Sequence, residues 1–498
     1  MPPKTDNNKD MKNSIIGRTE ECERLEQYIQ SEQSEFIVIF GRRRIGKTFL
    51  IRELFENRFT FRLTGMENAS NDEQLRNFQM ALAKYFKKEE LPEDWISAFG
   101  MLERCIEAKK EGPKIIFIDE LPWFDTRGAK FVSALEHFWN DWASYRKDIK
   151  LIVCGSATSW MLSKVINSRG GLHNRVTHSI RLAPFSLGET EMFFKAKGFS
   201  YGRAEILETY MSIGGVAYYL SLFERGKSAV ENIDSLCFSR KGELHDEFRR
   251  IFNSLYFKAD KHIDTIEALK TKRKGLTREE ISAAAGITGN GNLTKILREL
   301  EECDFIRSYV PFGKSKKGTL YQLIDPFCHL YLSWVKDSGN QRERQWITLQ
   351  ERNQTDQWFG YAFEMTCLIH LKHIIKGLGI DGTTNKPGCW YYKPTKAVLA
   401  QEDADEDLLH GTQIDLLVDR ADKTVTVCEM KYSVDEYEIT KDYDRVLQQR
   451  LRTFRKATKT KKSIMTVFIT PNGLLNNQYS YKYPRKITAD ALFENMPL

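Results

Sequence analysis

The sequence lacks the features of membrane and secreted proteins. None of its 498 residues lies in an apolar run that approaches the ~18 residues a membrane-spanning helix needs. The start of the chain, MPPKTDNNKDMKNS, is charged and has no apolar stretch of the kind found in signal peptides. We therefore expect a cytoplasmic protein that has no membrane partner.

Paired cysteines are also absent. The 9 cysteines are scattered and no two form a CxxC pair, so neither a disulfide framework nor a zinc knuckle is predicted. With 13 prolines and 31 glycines the chain is too poor in both for a collagen-like or low-complexity protein. A hydrophobic content of 41% predicts folded cores, and the length predicts several domains. The net charge of +7 indicates a partner only once its location is known.

Short apolar runs alternate with helical stretches in the first third of the chain, and this alternation predicts a parallel sheet covered on both faces. The predicted strands are Phe36–Phe40, Phe59–Leu63, Lys114–Asp119, Lys150–Cys154 and Ser179–Leu182. We expect a flexible leader (1–14), an α/β core (15–186), a helical lid (187–257), a domain of three helices and two strands (258–337), a linker (338–356) and a C-terminal α/β domain (357–498).

The segment that follows the first predicted strand reads GRRRIGKT and satisfies the pattern G-x-x-x-x-G-K-[ST]. Because it also opens a predicted helix, its backbone N–H groups can wrap phosphate oxygens. Lys47 would reach the β and γ phosphates of ATP, and Thr48 would bind Mg²⁺. The predicted nucleotide-binding residues of this loop are Gly41, Arg42, Arg43, Arg44, Ile45, Gly46, Lys47, Thr48 and Phe49.

Polar residues at the ends of other predicted strands complete this site. Asp119 would order the Mg²⁺ shell, and Glu120 would polarise the attacking water, so hydrolysis is predicted as well as binding. Ser156 either senses the γ-phosphate or caps the next helix. Arg175 and Arg169 are each either a charge supplied to the phosphoryl group or a solvated loop residue.

These motifs, with Gly17-Arg18, CGSATSWM and Gly214-Gly215, resemble the AAA+/STAND ATPases of prokaryotes, specifically the archaeal-type group with a Gly-Arg-Arg-Arg P-loop. The resemblance implies a P-loop AAA+ core, with Gly17 and Arg18 closing over the adenine. It also implies that Arg175 acts as the arginine after sensor 1 and that the chain forms a homo-oligomer. Ala217 departs from the proline that the family usually carries after the Gly-Gly motif.

The pattern of three helices and a hairpin in 258–337 predicts a winged helix. Basic residues lie before its second helix, on its third helix (Lys295 and Arg298) and in the wing, FGKSKKG. Such a wing suits contact with the DNA backbone. The alternative is that this domain serves in packing or oligomerisation and that its charges are solvated.

A second group of charged residues lies near the C-terminus. Asp415 and Glu429 fall on two successive predicted strands, and alternation places Glu429 and Lys431 on one face. The two carboxylates would hold Mg²⁺ or Mn²⁺, Lys431 would position the attacking water, and Glu364 on the preceding helix would add a ligand. The basic helix Lys441–Thr458 suits phosphate binding.

This pattern resembles the PD-(D/E)XK nuclease superfamily, in the form of the domain-of-unknown-function nuclease attached to archaeal-type ATPases. The resemblance implies a restriction-endonuclease-like α/β domain that cuts DNA. An inert relic of that fold and an unrelated charged hairpin remain as alternatives. His370 and His373 are expected to be exposed rather than metal ligands, and Trp390 to Tyr392 to be core rather than a base-stacking platform.

Together these features predict an ATPase whose nucleotide state governs DNA binding and cleavage, in defence or in the processing of mobile-element DNA. Two rivals fit the same residues. One is a nucleotide-switched signalling or scaffold protein with a protein partner, and the other is a DNA motor without nuclease activity.

Overall fold

The computed structural model describes residues 15–109, 112–167, 170–256, 258–337, 345–352, 354–400, 403 and 405–494. The expected leader and Arg169 lie outside the described residues. Within those ranges, no helix combines the length and the apolar character needed to cross a membrane.

Five parallel strands form the sheet of the core domain (15–186), as predicted. Each lies within one residue of its predicted ends: β1 (Glu35–Phe40), β2 (Phe59–Thr64), β3 (Lys114–Asp119), β4 (Ile149–Gly155) and β5 (His178–Arg181). Their spatial order is β2-β3-β4-β1-β5. Every residue of β1, β3 and β4 is buried, as expected for strands covered on both faces.

Helices cover both faces of this sheet. They are α1 (Thr19–Gln30), α2 (Lys47–Phe55), α3 (Asn71–Phe86), α4 (Trp95–Glu107), α5 (Phe131–His137) and α6 (Thr158–Met161). One face packs Leu25 and Ile51 against Ile39, and the other packs Phe78 and Leu102 against the opposite side chains. The crossover helices therefore fix the strand ends at one edge of the sheet.

The regular secondary structure described within the lid (187–257) is helical, with α7 (Leu187–Ala196), α8 (Arg203–Ile213), α9 (Ala217–Ser221), α10 (Ala229–Ile233) and α11 (Glu247–Leu255). The hairpin domain (258–337) contains α12 (Asp260–Lys270), α13 (Arg278–Ala284), α14 (Asn290–Glu302), the antiparallel strands β6 (Ile306–Tyr309) and β7 (Leu320–Leu323), and α15 (Pro326–Leu330). Single π-helical turns extend four helices: Phe138–Trp142, Leu162–Ile166, Asp234–Phe238 and Tyr331–Val335.

The C-terminal domain carries a mixed sheet in the order β12-β11-β10-β9-β8. Its strands are β8 (Thr384–Tyr392), β9 (Thr412–Arg420), β10 (Thr424–Met430), β11 (Ser463–Thr470) and β12 (Lys486–Thr488), and its helices are α17 (Asp356–Ile369), α18 (Leu371–Gly377), α19 (Lys396–Leu399) and α20 (Lys441–Thr458). The single helix predicted over Trp358–Ile375 is two helices, which meet at His370. Part of the predicted linker is also helical, as α16 (Gln345–Glu351).

One apolar cluster runs through the lid, the hairpin domain and the C-terminal domain. It includes Tyr219 of the lid, Phe305 of the hairpin domain, and Trp346 and Trp358 beyond it. A fully buried aromatic side chain contributes roughly 1.5–3 kcal/mol of burial free energy. These three parts of the chain therefore pack as one body beside the core sheet.

Candidate functional site

The polar residues predicted at the strand ends lie at one edge of the core sheet. Strands β1, β3 and β4 are parallel neighbours, so Gly41, Asp119 and Ser156 follow their carboxyl ends at the same edge. Ligands of open α/β sheets bind at this edge. The fold thus brings the predicted phosphate loop together with the predicted carboxylates.

The loop between β1 and α2 has the conformation that its glycines require. Gly41 has φ +145°, and a Cβ there would lie 2.2 Å from the carbonyl oxygen of Leu182. Gly46 has φ +92° and nothing within 4 Å of a Cβ, which leaves open space at the start of α2. The ammonium of Lys47 donates to the carbonyl oxygens of Gly41 at 2.9 Å and Arg42 at 2.8 Å. The buried lysine therefore lies folded against its own loop.

Thr48 and Asp119 are in direct contact. The Thr48 hydroxyl donates to Oδ1 of Asp119 at 3.2 Å. Burial and the neighbouring Glu120 raise the pKa of Asp119, while the hydrogen bond from Thr48 opposes the rise. A hydroxyl and a buried carboxylate side by side are oxygen ligands of the kind that Mg²⁺ takes, so these residues fit the expected ion.

Glu120 is held by Ser156. The Ser156 hydroxyl donates to one carboxylate oxygen of Glu120 at 2.7 Å, and the Ser156 amide donates to the other at 3.2 Å. Helix α6 has no side-chain cap, so helix capping is the wrong one of the two roles considered for Ser156. Glu120 itself has φ +48°, a backbone conformation that is uncommon outside glycine and asparagine. Backbone strain at Glu120 is consistent with a functional position for this residue.

Two of the three arginines in the phosphate loop, Arg42 and Arg44, form ion pairs with residues of other domains. Nη1 of Arg42 lies 2.5 Å from Oδ2 of Asp325, and both side chains are buried. The guanidinium also stacks over Phe305, 4.6 Å from the ring centre. Asp325 caps α15 by accepting from the amide of Cys328 at 2.7 Å. Arg42 therefore connects the loop to the hairpin domain.

Arg44 makes the equivalent connection to the lid. Its Nη1 lies 2.9 Å from Oε2 of Glu247, a fully buried residue that also accepts from the hydroxyl of Tyr219 at 3.1 Å. The guanidinium lies 4.3 Å from the ring centre of Tyr218, whose amide donates to the carbonyl of Arg44. Sequence reasoning identified the arginines but not their partners, which lie about 200 residues or more further along the chain.

The remaining loop residues differ in exposure. Arg43 is half-buried, Ile45 is packed in the core beneath the loop, and Phe49 is exposed on α2. None of these positions excludes the predicted contact of the loop backbone with phosphate.

The predicted adenine-closing segment is anchored to the lid. Gly17 and Arg18 both have positive φ, and the amide of Arg18 donates to Oε1 of Glu189 at 3.2 Å. The buried Arg18 guanidinium donates to the carbonyl of Ala183 at 2.6 Å and forms ion pairs with Glu21 and Glu189. Arg175, in contrast, is exposed in the turn before β5.

The charged residues near the C-terminus also lie close together. Strands β9 and β10 are antiparallel with Leu416 opposite Cys428, and the next step of that register puts Asp415 beside Glu429. Burial and the charge of Glu429 raise the pKa of Asp415. Burial, followed by the charge of Asp415, raises the pKa of Glu364 on α17 to about 8. Lys431 acts on both carboxylates in the opposite sense, so the four predicted residues share one electrostatic environment.

Both oxygens of the buried Glu429 carboxylate already have partners. Arg450 pairs with Oε1, and the hydroxyl of Tyr443 donates to Oε2 at 2.7 Å. Lys431 lies 5.1 Å from the centre of the Tyr443 ring. Across the described ranges, no three His, Cys, Asp or Glu residues are grouped closely enough to hold a metal ion. The expected set of three carboxylate ligands, Glu364, Asp415 and Glu429, is therefore not assembled as one metal-binding group.

The helix predicted to bind phosphate is largely neutralised by carboxylates. Helix α20 contributes Arg450 to Glu429, and its Arg452 lies 3.1 Å from Asp407. Lys456 lies 2.6 Å from Asp405 and 2.8 Å from Asp407, and Arg445 pairs with Asp442. Asp405 and Asp407 come from the loop before β9, Glu429 from β10 and Asp442 from α20 itself. The net charge of this surface is therefore smaller than the basic residues of the helix alone indicate.

The expectation that His370 is exposed is wrong. His370 is buried where α17 meets α18, its Nδ1 donates to the carbonyl of Thr366 at 2.9 Å, and its Nε2 accepts from the amide of Leu187 at 3.0 Å. It therefore joins the C-terminal domain to the first turn of the lid. Trp390 is buried edge-on against Phe454, as expected for a core residue.

The fold and the phosphate loop define a P-loop ATPase domain. Residues 15–223 match the family described as an ATPase domain predominantly from Archaea. A protein of Methanocaldococcus jannaschii described as uncharacterized is 26% identical over 406 residues, 79% of this chain and 86% of the relative. An uncharacterized ATP-binding protein of the same organism is 42% identical over 44 residues, 9% of this chain and 75% of that protein.

Two solved structures align with large parts of this chain. The Walker-type ATPase of Pyrococcus abyssi has a TM-score of 0.44 and 17% identity, covering 67% of this chain and 99% of its own. The ORC2 protein of Aeropyrum pernix, in ADPNP and ADP complexes, has a TM-score of 0.40 and 12% identity, covering 63% and 90%.

Proposed function

We propose that this chain is a Mg²⁺-dependent ATPase that hydrolyses ATP to ADP and phosphate. The observation that carries the proposal is the contact of Thr48 with Asp119 at the sheet edge, with Glu120 as the next residue. Thr48 and Asp119 would hold Mg²⁺, which neutralises phosphate charge when bound. Lys47 would exchange its loop carbonyls for phosphate oxygens, and Glu120 would orient the attacking water.

The test of this activity is ATP turnover by purified Glu120→Gln and Lys47→Ala variants. We expect Glu120→Gln to bind ATP and scarcely hydrolyse it, and Lys47→Ala to lose binding. Unchanged turnover in Glu120→Gln would remove that residue from the role.

We further propose that the nucleotide state is transmitted to the rest of the chain through the loop arginines. Arg42 contacts Asp325 at the start of α15, and His329 of the same helix stacks on Trp358 of α17, with ring centres 5.3 Å apart. Helix α17 carries Glu364. A continuous set of packed groups therefore connects the phosphate loop to the C-terminal carboxylates, which is the physical route a coupled response needs.

A second proposed activity is hydrolysis of a DNA phosphodiester at the C-terminal carboxylates. The clustering of Glu364, Asp415, Glu429 and Lys431 favours it. Lys431 would position the attacking water, and Asp415 or Glu429 would accept its proton as the new P–O bond forms. Glu364, whose pKa is raised to about 8, would donate a proton to the leaving oxygen as the old P–O bond breaks. Since the carboxylates are not arranged as a metal site, no step is assigned to a metal there. Supercoiled DNA incubated with Mg²⁺ or Mn²⁺, with and without ATP, tests the activity by nicking.

The proposed partners follow from the same features. Exposed Arg175 would act on a neighbouring subunit of a homo-oligomer, and DNA would engage the hairpin domain, read as a winged helix. All 9 cysteines are free, which suits the reducing cytoplasm. The neutralised helix α20 favours one rival, a nucleotide-switched scaffold with a protein partner. A gel-shift titration with salt separates the two, because binding to DNA weakens steeply as salt rises.

A further inference from the structure

Two arginines of the hairpin domain act on the C-terminal carboxylates, which belong to a different domain. Arg307 lies on β6 of the hairpin domain, and its charge lowers the pKa of Asp415. Arg273, which precedes α13, acts in the same way on Glu364. Neither arginine belongs to the motif that led to the carboxylates.

Arg307 is held in one orientation. Its Nε donates to the side-chain oxygen of Gln322 on β7 at 2.8 Å, and its guanidinium lies 4.7 Å from the centre of the Tyr309 ring. In the part of the chain that the structure describes, it forms no direct ion pair. Burial lowers the pKa of Arg307, so keeping its charge there has an energetic cost. Since Nε donates to Gln322, the edge formed by Nη1 and Nη2 is the one that matches the geometry of a phosphate.

Arg273 lies where the two domains are joined. Its carbonyl accepts from the hydroxyl of Tyr361 at 3.0 Å and from the side-chain amide of Gln322 at 2.7 Å. Its guanidinium lies 5.4 Å from the centre of the Tyr361 ring, one helical turn before Glu364 on α17. The same residues therefore fix both arginines relative to the carboxylates.

The two cations of α14 that were expected to contact DNA already have carboxylate neighbours. Lys295 and Arg298 on α14 lie near Glu299 and Glu302, and the α20 cations pair as described above. Closer to the seam, by which we mean the boundary between the hairpin domain and the C-terminal sheet, two lysines lie near the Tyr391 ring on β8. Lys274 lies 4.4 Å and Lys314 lies 6.0 Å from the centre of that ring. This places further positive charge along the same boundary between the hairpin domain and β8.

We propose that the phosphodiester site is composite, with Arg307 as its phosphate-positioning residue and Arg273 as a second contact, both supplied by the hairpin domain. A DNA strand would lie in the seam between the hairpin domain and the C-terminal sheet, with its phosphate between Arg307 and the carboxylates. This inference rests on the proposed C-terminal activity, but it is measurable as binding even where no cleavage occurs.

The seam is closed at one side, so a strand must part the two surfaces. The amide of Phe312 donates to the carbonyl of Cys389 at 2.7 Å, and the Phe312 ring packs 5.7 Å from that of Phe454. Entry therefore requires movement of the β6–β7 hairpin relative to β8.

The test uses the full chain, a fluorescent DNA oligonucleotide in Ca²⁺, and three variants. Arg307→Gln removes the charge, Arg307→Lys keeps the charge without the fork, and Arg225→Gln removes an equal charge from an exposed loop of the lid. We expect Arg307→Gln to weaken binding about tenfold or more, as loss of a charged hydrogen-bonding group does. The slope of log affinity against log salt should fall by about 1 in Arg307→Gln and stay unchanged in Arg307→Lys, which loses several-fold affinity.

The outcomes separate this inference from the proposed cleavage. Cleavage of DNA in Mg²⁺ with unchanged binding by Arg307→Gln overturns the inference and leaves the nuclease standing. DNA binding that depends on Arg307, without cleavage, supports the inference and contradicts the proposed nuclease activity. If Arg307→Gln binds weakly but also melts earlier and loses ATP turnover, Arg307→Lys decides. Several-fold weaker binding by Arg307→Lys at the wild-type melting temperature supports the phosphate contact, and wild-type affinity refutes the bidentate contact proposed for Arg307.

Discussion

Arg42 of the phosphate loop lies 2.5 Å from Asp325, the residue that caps α15, although the two are 283 residues apart in the chain. Both side chains are buried, and the Nε and Nη2 atoms of Arg42 have no hydrogen-bond partner among the described residues. The charge of Arg42 is therefore compensated mainly by Asp325 and by the face of Phe305. A residue that nucleotide binding would disturb is thus tied to another domain.

Removing one partner of this ion pair is predicted to destabilise the protein. Asp325→Asn keeps a side chain that can cap α15 but leaves the Arg42 charge buried without a partner. We expect the free energy of unfolding to fall by about 3–5 kcal/mol, as for other broken buried pairs. Denaturant titration measures the loss, and the double variant with Arg42→Met should lose less than the sum of the single losses.

An exposed ion pair provides the control. Arg445 and Asp442 are both largely solvent-exposed and lie 3.4 Å apart on α20. Arg445→Gln should change the free energy of unfolding by less than about 0.5 kcal/mol. Equal effects of Asp325→Asn and Arg445→Gln would contradict the strong role assigned to the buried pair.

Ser156 is predicted to set the orientation of Glu120. Ser156→Ala removes the hydroxyl at 2.7 Å but leaves the backbone amide contact. Because a hydrogen bond to a charged group contributes about 1.5–3 kcal/mol, we expect kcat for ATP to fall at least tenfold at nearly unchanged KM. Steady-state turnover measures both parameters. A rise in KM at constant kcat would instead indicate that Ser156 contributes to binding.

The parts of the two sites that depend on residues close together in the sequence could be predicted. Strand ends, the phosphate loop and the pairing of Asp415 with Glu429 all follow from local periodicity and from the short turn between β9 and β10. The contacts of Arg42 and Arg44 depend on packing between domains, for which a single sequence carries no periodic signal. The basic pattern of α20 was misleading for a similar reason, since Asp405 and Asp407, which pair with Arg452 and Lys456, come from a separate loop.

The buried His370 predicts a specific loss of stability in acid. Burial, the largest cause, lowers its pKa to about 3, whereas histidine in an unfolded chain titrates near 6.5. Unfolding therefore takes up a proton in this interval, so the stability present above about pH 6.5 is lost as the pH falls toward 3. In His370→Gln the slope of unfolding free energy against pH should be smaller by about 1.4 kcal/mol per pH unit between pH 6 and 4.

Denaturant titrations at several pH values measure this slope. His410→Gln replaces an exposed histidine and should leave the slope unchanged. Identical slopes in wild type and His370→Gln would show that burial does not keep the His370 ring neutral.

The two proposed reactions are predicted to be separable by substitution of one lysine at each site. Lys431 lies outside the matched ATPase domain and shares the environment of Asp415 and Glu364, so Lys431→Ala should abolish nicking of supercoiled DNA and leave ATP turnover unchanged. Lys486→Ala, at an exposed position on β12 of the same sheet, is the matched control and should nick normally. Nicking that also disappears in Lys47→Ala would place the C-terminal reaction under control of the nucleotide. If Lys431→Ala still nicks at the wild-type rate, the cleavage does not arise from these carboxylates, and the scaffold or motor function becomes the better account.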